Sequence, residues 1–188
     1  MSIFIISLLV LAGIIGLVVL WAISTFNSLV HLKALIDEAW SGIDVQLKRR
    51  YDLIPNLVAT VKQYASHEKG IFDEIARMRA ASMSATTIDQ KADAEKGLTQ
   101  ALRTLFAVAE NYPNLKANEN FLALQKELSV LEHEIQLSRR YYNGAARNYN
   151  VRVQSFPSRI VASVGGFGSV PYFELAGADQ RENPRVQF

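Results

Sequence analysis

The chain has 188 residues, with 20 lysines and arginines against 18 aspartates and glutamates, three histidines and no cysteine. A net charge of +2 supplies no basic stripe for a nucleic-acid surface, so nucleic acid is set aside as a partner; the lack of cysteine excludes disulfides, thiolate metal sites and a cysteine nucleophile. About 160 residues follow an N-terminal apolar run, enough for one domain with one core.

From Ile3 to Ile23 the chain reads IFIISLLVLAGIIGLVVLWAI, with Ser7 the main polar interruption and no charge before His31 and Lys33. As a helix this run covers ~32 Å, against roughly 30 Å for the hydrocarbon core of a bilayer. The competing reading is a cleaved signal peptide, since Ala22-Ile23-Ser24 would pass as a cleavage site. The run has no basic n-region, however, and exceeds the usual ~7–15 apolar residues. Gly13 and Gly16 would let another helix approach closely, a weak packing signal, and Trp21 and Phe26 stand where an interfacial aromatic belt belongs. Lys33, and farther on Lys48, Arg49 and Arg50, follow the run, whereas only Met1 and Ser2 precede it. The positive-inside rule then predicts a single-pass membrane protein, its N-terminus outside and its helical domain cytoplasmic.

Beyond the span, apolar residues recur at three- and four-residue steps until Pro157, which is the period of helices. The first stripe carries Leu29, Leu32, Ile36, Ala39, Ile43, Leu47, Ile54, Leu57, Val61 and Tyr64, with a phase change around Ile43 to Leu47, and continues the membrane helix directly. Pro55 lies inside it; the missing N–H and the ring's clash with the Tyr51 carbonyl predict a kink, or a restart with Asp52 as N-cap. A second helix is expected from about Glu68 to Ala81, with Ile71, Ile75 and Met78 inward, and Ser82 to Thr87 reads as a linker. A third runs from Thr87 or Ile88 to Asn111, with Leu98, Leu102, Leu105, Ala109 and Tyr112 inward, and ends at Tyr112-Pro113-Asn114. The fourth, about Asn118 to Ser155, keeps an unbroken alternation from Phe121 through Leu124, Leu128, Leu131, Ile135, Ser138, Tyr142 and Ala145 to Tyr149, which implies coiled-coil-like packing. Its ~57 Å makes the expected bundle elongated.

Pro157 stops that helix. Ile160, Val161 and Val164 follow, then Gly165, Gly166, Phe167, Gly168 and VPYFEL. The glycines predict a non-helical tail whose apolar side chains cap the bundle or dock on a neighbour, and the polar residues after Ala178 read as disordered. The expected division is a membrane anchor at 1–26, a helical bundle domain at 27–163 and the tail at 164–188.

Chemistry is densest in IDVQLKRRYDLIPNLV. Asp44, Lys48 and Asp52 stand four apart, one above another on a helix, as alternating ion pairs. Such a stripe is ordinarily a solvated face; the competing reading makes Asp44, Lys48, Arg49, Arg50 and Asp52 a partner surface. The pairs His67-Glu68 and His133-Glu134 do not form a zinc-protease motif, because the positions four after each histidine are Ile71 and Leu137. A metal bridge between the two pairs across facing helices is the remaining option there. No spacing singles out a nucleophile with its base, no phosphate-cradling glycine loop opens a helix, and Tyr141, Tyr142 and Tyr149 with Arg139, Arg140 and Arg147 read as a core edge with snorkelling arginines. No cofactor is expected.

The N-terminal span, NSLVHLKALIDEAWSGIDVQLKRRYDLIPNLVATVKQYASHE, ENFLALQKELSVLEHEIQLSRRYYNGAARNYNVRVQSFPSRIVA and the closing FG…PYFE together resemble the LemA family of bacterial membrane proteins over nearly the whole length. The resemblance implies an up-and-down four-helix bundle on a membrane anchor, and no activity. The expected function is a non-enzymatic membrane-tethered scaffold that self-assembles or organises an envelope complex. An adaptor or regulator of a membrane protease or other envelope enzyme is the alternative. The expected partners are membrane lipid, a second copy of the chain and an envelope protein. Leu29, Leu32, Ile36 and Trp40, in the stretch after the span, are the expected oligomer contacts, unless the fourth helix folds back and covers them.

Overall fold

A computed structural model describes residues 2–174. They form an all-α architecture: α1 (Ser2–Lys62), α2 (Lys69–Ser84), α3 (Ile88–Ala109), the single turn α4 (Pro113–Lys116), α5 (Glu119–Gln154) and α6 (Ser158–Val164). The expected disorder after Ala178 lies outside the described residues.

The chain separates into two compact units. One contains the residues up to Trp40 with Tyr141–Val170, the other Ser41–Arg140 with the described residues from Pro171. In the second unit α1, α2, α3 and α5 supply four helical segments. The turns between them are short, as for antiparallel neighbours in a bundle. Leu98, Leu102, Leu105 and Ala109 of α3 are buried with Ile43, Leu47, Ile54, Leu57 and Val61 of α1 and Phe121, Leu128, Leu131 and Ile135 of α5.

Helix α1 is one unbroken element. Pro55 interrupts neither its assignment nor its stripe, so Asp52 caps no new helix. The physical cost of the proline falls on the carbonyl four residues before it, which loses its intrahelical donor. That carbonyl belongs to Tyr51, and the Nε of Arg79 on α2 donates to it at 2.8 Å.

Local sequence ends the other helices. Thr87 caps α3, its hydroxyl accepting from the Gln90 N–H at 3.2 Å, and the Gln90 side chain returns to the Thr86 N–H at 3.3 Å, a close relative of the capping box. Asn118 caps α5 through the Phe121 N–H at 3.0 Å. The expected linker is shorter than read, because α2 extends to Ser84 and Ser82 is wholly buried. The tail is a helix for one stretch: α6 forms despite the glycines after it. Gly166 at φ 72° and the bonds Phe167 N–H to Ala162 O (2.9 Å) and Gly166 N–H to Ser163 O (3.4 Å) build a Schellman cap.

In the first unit, Leu29, Ile36, Tyr142, Ala146 and Tyr149 are buried, and Trp40 meets Tyr142 edge-on with centroids 5.5 Å apart. The cap of α6 turns Phe167 onto Phe26, centroids 5.3 Å apart. A Cβ on Gly165 would lie 2.8 Å from the Phe167 ring and 3.1 Å from that of Phe26, so this approach needs a glycine. The Asn150 amide pairs with both backbone groups of Val170, at 2.9 Å each.

Candidate functional site

The site develops from a stripe position. Buried residues on α1 follow the steps Ile43, Leu47, Arg50, Ile54, Leu57, Val61, and on α3 the steps Ala92, Glu95, Leu98, Leu102, Leu105. Each helix therefore points one charged side chain inward, basic on α1 and acidic on α3. Arg50 and Glu95 are both 0% exposed. The Arg50 guanidinium forms ion pairs with Glu95 and with Glu132 of α5, and a further bond to the Thr99 hydroxyl at 3.3 Å. The Tyr51 hydroxyl donates to the second oxygen of Glu95. Four side chains from three helices thus converge on one arginine or its carboxylate partner.

Burial pushes the Tyr51 phenol well above its ordinary value, and the charge of Glu95 and the hydrogen bond to it push the same way; the Arg50 charge opposes them. Tyr51 is a proton donor held in place. Taking two ions out of water costs several kcal/mol each in real proteins, and their mutual attraction with the hydrogen bonds around them is what offsets that cost; among the described residues the Arg50 Nε has no partner. What such a cluster supplies is register: a slide of α1 against α3 by one turn would strand a buried charge.

This placement corrects the reading of Arg50 as part of a partner surface, because the guanidinium lies inside the bundle. The other residues of that group divide. Lys48 and Asp52 pair at 3.5 Å with side chains 76% and 63% exposed, and Arg49 is exposed. Asp44 turns to Lys91 of α3 at 2.6 Å, so the expected ladder is split between an exposed pair and an inter-helix pair. Leu29 and Ile36 are covered within their own chain, in the unit that also holds Tyr141–Val170, and Leu32 and Trp40 are half-buried. They do not form the bare oligomer face expected of them, and the fold-back alternative describes this stretch better. His31, His67 and His133 are exposed, and among the described residues no three histidines, cysteines or carboxylates gather as a metal cluster.

Sequence reasoning missed Glu95, Tyr51 and Glu132. The signal was present: the stripe on α1 steps seven residues from Leu47 to Ile54, and Arg50 occupies the intermediate position. That seven-residue gap closes once a charged residue is admitted to the core. A smaller cluster lies at the chain's last described residues. Arg139 stands over the ring of the fully buried Phe173 at 5.5 Å and donates to its carbonyl at 3.4 Å. Burial lowers the Arg139 pKa from its ordinary value, against the opposing charges of Glu132 and Glu174.

A family model described as the LemA family matches residues 39–188. Among individual proteins, the chain is 26% identical over 175 residues to Magnetosome protein MamQ 1 of Paramagnetospirillum magneticum, covering 79% of this chain and 64% of that one. It is 26% identical over 174 residues to Magnetosome protein MamQ of Magnetospirillum gryphiswaldense, with the same coverage. To Protein LemA of Metamycoplasma hominis it is 27% identical over 152 residues, covering 80% of this chain and 69% of the relative. The chain therefore spans less than two thirds of the length of the MamQ relatives.

Replacing Arg50 with methionine leaves Glu95 buried and unpaired. Thermal or denaturant unfolding should show a loss of about 3–5 kcal/mol. The double change Arg50→Met with Glu95→Leu should cost less than the sum of the two single changes, because it removes both charges. Lys48→Glu, on the exposed pair, should cost no more than about 1 kcal/mol; a loss of several kcal/mol there would place Lys48 in the core as well.

Tyr51 also sets an alkaline limit. A raised folded-state pKa leaves stability complete below the unfolded value near 10 and removes it as pH climbs beyond, since only the unfolded chain then releases its proton. The loss should approach about 1.4 kcal/mol per pH unit for this group. Tyr149, raised chiefly by burial, adds in the same direction. Unfolding followed from pH 9 to 11 should show a shallower decline in Tyr51→Phe than in the parent; equal slopes would remove Tyr51 from the cause.

Proposed function

Since the chain belongs to the LemA family, we propose that it is a non-enzymatic, membrane-anchored helical scaffold that self-assembles or organises an envelope protein complex. The observation that carries this reading is α1. A single helix contains both the apolar run from Ile3 and Arg50, whose charge is met by carboxylates of α3 and α5. A loose tether would place glycine, proline or serine clusters between anchor and domain. Here a helix without proline joins Ser24 to Ile54, and Gly42 is its only glycine. The protein is accordingly read as single-pass, with membrane lipid as an obligatory partner, its N-terminus outside the inner membrane and its helical domain in the cytoplasm.

With Leu29 and Ile36 covered, self-assembly is assigned to the span, where open space surrounds Gly13 and Gly16. Confinement to one plane raises the effective concentration of neighbours. A second reading is an adaptor or regulator of a membrane protease or other envelope enzyme. The exposed face of Lys48, Arg49 and Asp52 favours it.

Light scattering of the full-length protein in mild detergent should report a discrete oligomer. Gly13→Leu with Gly16→Leu, or a chain beginning at Asn27, should shift it to monomer. A monodisperse full-length monomer at micromolar concentration would end the self-assembling form of the proposal, and a stoichiometric foreign protein in a mild-detergent pull-down would then favour the adaptor.

Orientation is tested in intact cells with single cysteines, which are unique in this chain. An impermeant maleimide should label Ser2→Cys and spare Met83→Cys, an exposed position on α2. The reverse pattern would put the helical domain outside.

A further inference from the structure

The unit that contains the apolar run also contains α6, and their contact sets the level of α6. Phe167 packs edge-on against Phe26. Phe26 is three residues beyond Ile23, about 4.5 Å of helical rise past the end of the apolar run. The cap that closes α6 is thereby held within one helical turn of the boundary where the hydrocarbon core ends, the depth at which aromatic residues collect.

At that level the chain exposes apolar side chains in a pattern. Ser158 and Ala162 of α6 face inward. Ile160 and Val164, one turn apart on α6, are 57% and 87% exposed, and Phe156, in the non-helical turn just before α6, is 83% exposed. Three apolar groups left in water on so short a segment mark a contact surface. Residues 141–170 carry Arg147, Arg152 and Arg159, all exposed, and no aspartate or glutamate; the acidic side chains of this unit, Asp37 and Glu38, lie on α1, more than ten residues beyond Phe26. Apolar groups flanked by exposed arginines, held beside the end of a membrane helix, match an anionic lipid interface, where the apolar face enters the headgroup–acyl boundary and cations meet phosphates.

We infer that α6 and its preceding turn form a second, in-plane membrane contact: Phe156, Ile160 and Val164 enter the bilayer interface, and Arg152 and Arg159 engage phosphates of anionic lipids. Seven residues would bind a membrane weakly if free. Tied to a transmembrane helix by Phe26 and Phe167, they have the bilayer as a permanent neighbour. The inference rests on the reading of Ile3–Ile23 as a span.

The test uses the full-length protein in vesicles of phosphatidylethanolamine and phosphatidylglycerol. An environment-sensitive fluorophore is attached to one cysteine at a time, at Val164→Cys, Ile160→Cys, Leu11→Cys within the span or Met83→Cys as an exposed control. Val164 and Ile160 labels should be blue-shifted and lose at least half their emission to lipids bearing a nitroxide near the headgroup. The Leu11 label should respond to a nitroxide deep in the acyl chain, and the Met83 label to neither. Lowering the phosphatidylglycerol content, or Arg152→Gln with Arg159→Gln, should reduce quenching at Val164 and leave it unchanged at Leu11. Quenching at Leu11 with a water-like signal at Val164 and Ile160 overturns the inference alone. A blue shift at Val164 that no lipid nitroxide quenches also overturns it, because a second copy or another protein then covers α6. A Leu11 label insensitive to either nitroxide ends the span reading and takes the inference with it.

Discussion

A buried positive charge constrains much of this fold. Arg50 has no solvent, so the bundle must bring it carboxylates, and it brings two from different helices, Glu95 on α3 and Glu132 on α5. Apolar packing alone tolerates sliding, since one leucine replaces another at little cost. An ion pair without water does not, because displacement leaves uncompensated charge in a low-dielectric interior. The Tyr51 hydroxyl on Glu95 and the Thr99 hydroxyl on Arg50 use capacity that would otherwise stay unsatisfied. The arrangement is one of specificity more than of net stabilisation.

The same stretch of α1 contains Pro55, which would be a weak point in an isolated helix. Arg79 of α2 supplies the donor that the Tyr51 carbonyl lacks. Tyr51 is thus held at both ends, its carbonyl by α2 and its hydroxyl by α3. The other three long helices, α2, α3 and α5, therefore all contribute partners to the polar groups of two consecutive residues of α1. That concentration gives a physical reason for the dense, unusual composition of the segment Ala39 to Val58.

The unit that contains the apolar run solves another problem, how to cover apolar surface just beyond that run. Leu29 and Ile36 are buried there, alongside Tyr142 and Tyr149, and the glycine-rich turn is folded tightly enough for Phe167 to reach Phe26. The Asn150 amide holds Val170 through both backbone groups, as a neighbouring strand would. Gly165 and Gly166 are needed for opposite reasons, one for a close approach and the other for a left-handed backbone.

Much was legible in the sequence alone. The apolar run from Ile3, the helical period of everything up to Pro157, the starts of the third and fourth long helices near Thr87 and Asn118 and the family itself follow from local pattern, because hydrophobic spacing acts over a few residues. Tertiary structure decided the rest. The periodicity of α1 shows which face turns inward and does not show what that face meets. Arg50 therefore reads as part of an exposed basic cluster until Glu95, 45 residues on, is placed against it. Leu29 and Ile36 read as bare until their covering is seen, and the tail's glycines read as helix breakers until their turn is seen to close a helix. In each case the deciding partner is distant in the chain, and a charge or an apolar group acquires its role only from the dielectric and the neighbours that folding puts around it.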